Sequence, residues 1–137
     1  ILAAVGTVAY TGYTEGAKKN SAKSNHASAV KYIAAEEQKC NMGETSAMKD
    51  SNGNAQLTCE GRGADDVIAA AVTALSDFKN PYATSALAVR SSTSTATGGY
   101  VNLNAASTTS IDVKTCFTVD SECSTSGNVL EKTITVE

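Results

Sequence analysis

Four cysteines are the residues of this 137-residue chain best placed to do chemistry. Cys40, Cys59, Cys116 and Cys123 are an even set, and no Cys-x-x-Cys or Cys/His spacing marks a zinc site. Three pairings are open to them. The sequence-local pairing, Cys40 with Cys59 and Cys116 with Cys123, would close two segments that are otherwise poor in core residues. Closing loops of this size stabilises by roughly 3 kcal/mol each in the chain-entropy model. Disulfides would place the protein in the periplasm or outside the cell.

The other reactive side chains offer less. His26 is the only histidine and has no co-ligand in view, so it reads as a packing or surface residue. Asp65 and Asp66 stand where a helix begins, and capping by Asp65 with Asp66 near the positive helix end accounts for the pair. Asp120 and Glu122 lie inside the Cys116–Cys123 loop, but two carboxylates are too few for a calcium site. With no Gly-rich phosphate loop and no paired acid–base groups, the expectation is a protein without enzymatic activity, metal or cofactor. A net charge of −3 argues against nucleic-acid binding over the whole surface.

The elements that must hold these residues can be read from the pattern. Ile1 to about Lys39 contains no proline and is rich in alanine, which favours one continuous helix. It opens with thirteen uncharged residues, ILAAVGTVAYTGY, and then mixes charged and small residues. About 38 helical residues make a rod of about 57 Å, whereas a domain of the remaining ~100 residues is about 30 Å across. The apolar half should therefore project and be buried in something outside the chain. It is too short for a bilayer core, which needs about 20 residues, and it lacks the basic n-region of a signal peptide. A chain opening on ILAAV reads as one that begins partway through a longer apolar helix.

In the second half of this helix Ala22, His26, Ala29, Val30, Ile33 and Glu37 recur at steps of three or four, with Ala34 beside them. This stripe should face a sheet. The segment from Cys40 to Arg62 is turn-rich, with a short strand at Gln56–Thr58. A second helix is expected over 65–78, with Ile68, Ala71, Val72, Leu75 and Phe78 on its apolar face and Lys79-Asn80-Pro81 ending it. Beyond it the pattern turns to strands at Ala86–Arg90, Tyr100–Asn104, Ser110–Thr118 and Val129–Val136, with Gly98-Gly99 as a turn. Their short connections predict one antiparallel sheet over about 86–136. Charge is divided as well. From Glu15 to Lys39 five lysines face three glutamates, whereas from Cys40 onward there are six basic and eleven acidic residues. A basic stem and an acidic head would give neighbouring copies complementary surfaces.

Ile1-Leu2-Ala3-Ala4, then Tyr10 and Tyr13 before a charged helix, resemble the membrane-distal part of the N-terminal helix of type IV pilins, in a type IVa-like form. In that family a short basic leader and a run like FTLIELLVVVAIIG come immediately upstream, so the extreme N-terminal part of the hydrophobic helix would be missing here. A β-rich C-terminal region and a cysteine pair near the C-terminus agree with the family layout. Many relatives carry proline two residues before the first tyrosine, where this chain has Val8, with Gly6 and Gly12 on either side.

The resemblance implies a single α+β pilin domain over 1–137. A long helix over 1–39 would pack on a C-terminal antiparallel sheet, and the head over 40–137 would carry a short second helix and disulfide-bonded loops. It implies that Ile1, Leu2, Val5, Val8, Tyr10 and Tyr13 lie in a filament core and that Gly6 and Gly12 supply helix flexibility. The implied function is a structural subunit of a bacterial type IV pilus, used for adhesion, twitching motility or DNA uptake. Its partners would be other copies of itself, the inner membrane before assembly, the pilus assembly machinery, and a host or abiotic surface or DNA. Its place would be the bacterial cell surface. Two alternatives share features with it: a pseudopilin of a type II secretion system, whose major form has a calcium site and generally lacks this pair of disulfides, and a secreted binding domain outside any filament.

Overall fold

An alanine-rich, proline-free segment forms α1, a continuous helix of 40 residues over Leu2–Asn41, about 60 Å long at 1.5 Å per residue. The computed structural model describes residues 2–136, and side chains over 14–136. The helix stops where Gly43 takes a φ of 100°, a conformation that costs glycine little. There the Gly43 N–H bonds the Cys40 carbonyl and the Glu44 N–H the Lys39 carbonyl, a glycine-terminated cap that satisfies the last free carbonyls. Among the described residues no helix is long and apolar enough to cross a membrane.

After α1 the chain makes an antiparallel hairpin, β1 (Ser46–Lys49) with β2 (Ala55–Thr58), in the segment expected to be mainly loop. Helix α2 then runs over Ala64–Ala74. Its N-cap is Gly63, not Asp65, and Asp66 at the third helical position accepts the Gly63 N–H at 2.9 Å. Nor does Pro81 end it. The chain leaves the helix at Leu75 through tighter turns, the Ser76 N–H on the Thr73 carbonyl and the Phe78 N–H on the Leu75 carbonyl, and Lys79–Asn80 then pairs as β3 with β4 (Ala83–Leu87).

The main sheet has four strands in the order β5 (Val89–Ser91), β6 (Val101–Ser107), β7 (Ser110–Cys116) and β8 (Val129–Thr135). The expected single antiparallel sheet is corrected in two respects: β3 and β4 form a separate pair, and β5 runs parallel to β6. The run Ala86–Arg90, expected as one strand, is two strands divided at Ala88. The Ala88 N–H goes to Phe78 and its carbonyl accepts from Val101, so the chain changes partner there. Residues 92–100 then carry it back to the end at which β5 began, which makes the β5–β6 pair parallel.

Ala29 and Ile33 of α1, Val67, Ile68, Ala71 and Leu75 of α2, and Val101, Leu103, Ile111, Val113 and Ile134 of the sheet form one buried cluster. The α1 stripe lies as its spacing predicts: Ala22, His26, Ala29, Ile33 and Glu37 are buried, and Val30 and Ala34 sit at its margin. On the sheet's other face the alternating positions are polar, with Asn102, Asn104, Asp112, Lys114, Glu131 and Thr133 in register. The molecule is thus α+β, with an N-terminal helix, a short second helix, antiparallel sheet pairing apart from β5, and two disulfides.

Candidate functional site: the long helix and its fastenings

Helix α1 is the element that the rest of the head holds, and it is held at two levels. At its C-terminal end the Cys40–Cys59 disulfide ties the last turn to the end of β2. Beside it Glu37 and Arg62 form a bidentate ion pair, Nε to Oε1 at 2.7 Å and Nη2 to Oε2 at 2.9 Å. The side chains of Arg62 and Glu37 are 8% and 3% exposed, so the pair is desolvated. Arg62 Nη1 also donates to the Cys59 carbonyl and Nη2 to Asn41 Oδ1, which closes the charge off with further hydrogen bonds.

Glu36 holds the next contact. Its Oε1 accepts the Met48 N–H at 2.9 Å and its Oε2 pairs with Lys39 at 2.6 Å. Tyr32 lies one turn back, and its phenol pKa is pushed up to about 12, by burial first and then by the nearby Glu36 carboxylate. Met48 itself has a φ of 58°, a left-handed conformation uncommon for so large a side chain. The β1–β2 pairing keeps one register on either side of it, Ala47 with Leu57 and Lys49 with Ala55. Burial of the Met48 side chain and the bond to Glu36 hold it in place.

The lower level lies around the Cys116–Cys123 disulfide. His26 meets Thr115 across the α1–β7 contact, Nδ1 to Oγ1 at 2.9 Å, and both are buried. Burial lowers the His26 pKa below its ordinary 6.5, so the ring is neutral at pH 7. The Lys23 ammonium lies 4.4 Å from the centre of the Phe117 ring, and Asn25 donates to the Lys79 carbonyl at 3.2 Å. Behind them Asn80 is fully buried, its amide nitrogen on the Gly98 carbonyl at 3.0 Å and its oxygen on the Tyr82 N–H at 2.8 Å. The Tyr82 hydroxyl donates to the Phe117 carbonyl at 2.8 Å. Burial, then the charges of Glu15 and Glu122, raise the Tyr82 phenol above its ordinary value. Gly98-Gly99 is more than a turn: a Cβ on Gly98 would overlap the Thr118 carbonyl, and one on Gly99 would overlap Asn80.

The structure thus brings all four cysteines to the two fastenings of α1, in the sequence-local pairing. Asp120 is taken up by the Gly98 N–H at 2.8 Å. The residues expected in a filament core, Ile1, Leu2, Val5, Val8, Tyr10 and Tyr13, and the flexibility expected at Gly6 and Gly12, lie outside the described residues or side chains. Among the described residues no group of three or more His, Cys, Asp or Glu is placed to hold a metal. Two open recesses of about 440 Å³ flank the β1–β2 hairpin, one against α2 by Glu60 and Asp66, the other against α1 by Tyr32, Glu36 and Lys39. Sequence reasoning missed Arg62, Met48 and Asn80. The only signal was Glu37 on the stripe that α1 buries, a charge that calls for a partner without naming it.

No protein-family model matches the chain, and no curated protein or solved structure matches it.

Proposed function

We propose that the chain is a structural subunit of a bacterial type IV pilus with a pilin fold. One observation carries this reading. Helix α1 begins at Leu2, and among its side chains described from Thr14 onward the first to be buried by the head is Ala22. A segment of that length and composition, uncharged through Tyr13, finds its cover against parallel helices of other copies. The double fastening of the helix to a disulfide-bonded α+β head suits a subunit that transmits load between a core helix and an outer domain. The two disulfides favour this over a type II secretion pseudopilin. In this reading the subunit waits in the inner membrane, passes through the pilus assembly machinery and ends on the cell surface. There the filament serves adhesion, twitching motility or DNA uptake.

Val5→Asp tests it. In a packed helix core the carboxylate would be buried without a partner. Filaments sheared from cells that express the variant from its own gene should vanish from electron micrographs, while the head still folds by circular dichroism. Normal filaments would overturn the polymer and leave a secreted binding domain.

A further inference from the structure

The outer face of the main sheet holds Arg90 in an arrangement that none of the fastenings of α1 explains. Arg90, Asn102, Lys114 and Glu131 stand opposite one another across β5, β6, β7 and β8, so their side chains share the polar face. Asn102 is only 1% exposed although it points outward. Its amide nitrogen donates to the Lys114 carbonyl at 3.1 Å and the Tyr100 carbonyl at 3.4 Å. Those two bonds set the amide's orientation and leave Oδ1 to accept Arg90 Nε at 2.7 Å. The guanidinium also lies over the Tyr100 ring, with Cζ 3.8 Å from the ring centre. One contact fixes its edge and the other its plane.

Neither contact uses the two terminal nitrogens. Arg62, the only other arginine, has a carboxylate of its own in Glu37. Among the described residues the Arg90 Nη groups have no partner, and the neighbouring Lys114 is engaged with Glu131 at 3.1 Å. A planar fork of N–H donors matches a carboxylate, and one already immobilised loses little further freedom on binding. We propose that Arg90 is an anchored fork that binds a carboxylate from outside the chain, supplied by a second copy. The source follows from the charge balance. From Cys40 onward the chain carries eleven acidic residues against six basic ones, and Glu44, Glu60 and Asp65 are among those exposed. Choosing a second copy as the source rests on the filament reading, whereas the fork itself does not.

The test uses nuclear magnetic resonance on the isotope-labelled chain, with sodium succinate as probe against sodium chloride at matched ionic strength. Succinate should move the Arg90 Nε–H and Asn102 side-chain signals along a saturating curve. Arg90→Lys keeps the charge and loses the fork, and should weaken binding about tenfold, the loss expected for one charge-assisted hydrogen bond. Equal shifts with chloride, or an unaltered curve in a folded Arg90→Lys, would overturn the fork. Concentrating the protein without succinate should move the Asn102 side-chain signals, present in both proteins, in the same direction in the wild type but not in Arg90→Lys. Succinate binding with no such dependence would overturn the second copy as source and assign the carboxylate to a different molecule. Filament loss in Val5→Asp is read separately, so the fork and the filament can fail independently.

Discussion

At the Cys40 end of α1 the contacts are ionic and run from side chain to side chain: Glu37 to Arg62, Glu36 to Lys39. At the Cys116 end no ion pair is described, and the contacts run mostly to backbone: Asn80 to Gly98, Tyr82 to Phe117, Asn25 to Lys79. The two ends should therefore break in different ways. A desolvated ion pair is sensitive to the loss of either partner, because the survivor is left charged and buried. A node of backbone carbonyls and glycines is sensitive to added volume, because there is no space to yield.

The largest effect is expected at the ionic end. Glu37→Ala leaves the Arg62 guanidinium in a site 8% exposed without its carboxylate, and should cost about 3–5 kcal/mol in urea unfolding. Replacing both Glu37 and Arg62 by well-packed apolar residues should restore most of that stability, since paired removal leaves no orphan charge. A loss below about 1 kcal/mol for the single variant, the range of a solvent-exposed pair, would mean that water reaches the site and that the two ends differ less than their geometry implies.

At the Cys116 end the corresponding probe is Gly98→Ala. The added methyl meets the Thr118 carbonyl, which is backbone and cannot swing aside, so a loss of about 1–3 kcal/mol is expected. Gly127→Ala is the control, since nothing lies near its added methyl, and it should change stability by less than about 0.5 kcal/mol. Equal thermal melts for the two variants would show that the Asn80–Gly98–Thr118 node has slack.

Much of the helix was legible because its period is local. Ala22, His26, Ala29, Ile33 and Glu37 can be placed on one face by counting, and α2 announces itself through Ile68, Ala71 and Leu75 in the same way. The alternation of Ile111, Val113 and Thr115 likewise marks β7. What stayed hidden depends on partners distant in sequence. Arg62 lies 25 residues from Glu37, and nothing in the turn-rich stretch around it says which acid it meets. The division at Ala88 is invisible because Leu87, Ala88 and Val89 read as one apolar run, and only the partners of the Ala88 amide and carbonyl separate them. Met48 is harder still. Its left-handed backbone violates the preference of its own side chain, and only tertiary contacts maintain it.

The smallest effect belongs to His26, and it separates the two ends by pH. Its folded pKa lies below the unfolded value of about 6.5 because burial disfavours the cation. Above about pH 6.5 the ring is neutral in both states and contributes no pH dependence. As pH falls below that value the unfolded chain takes up a proton that the folded chain resists, so the unfolded state binds more protons and stability declines toward the folded pKa. The slope cannot exceed that of one proton, about 1.4 kcal/mol per pH unit. No carboxylate of the lower fastening is seen to relieve it: the described partner of His26 is the Thr115 hydroxyl, while Lys114 and Glu131 pair on the opposite face of the sheet. Urea unfolding at pH 7 and at pH 5.5 should therefore show a loss in the wild type that is absent in His26→Gln, whose amide can still reach Thr115. An identical pH dependence in both proteins would mean that the imidazole is already solvated where it crosses from α1 to β7.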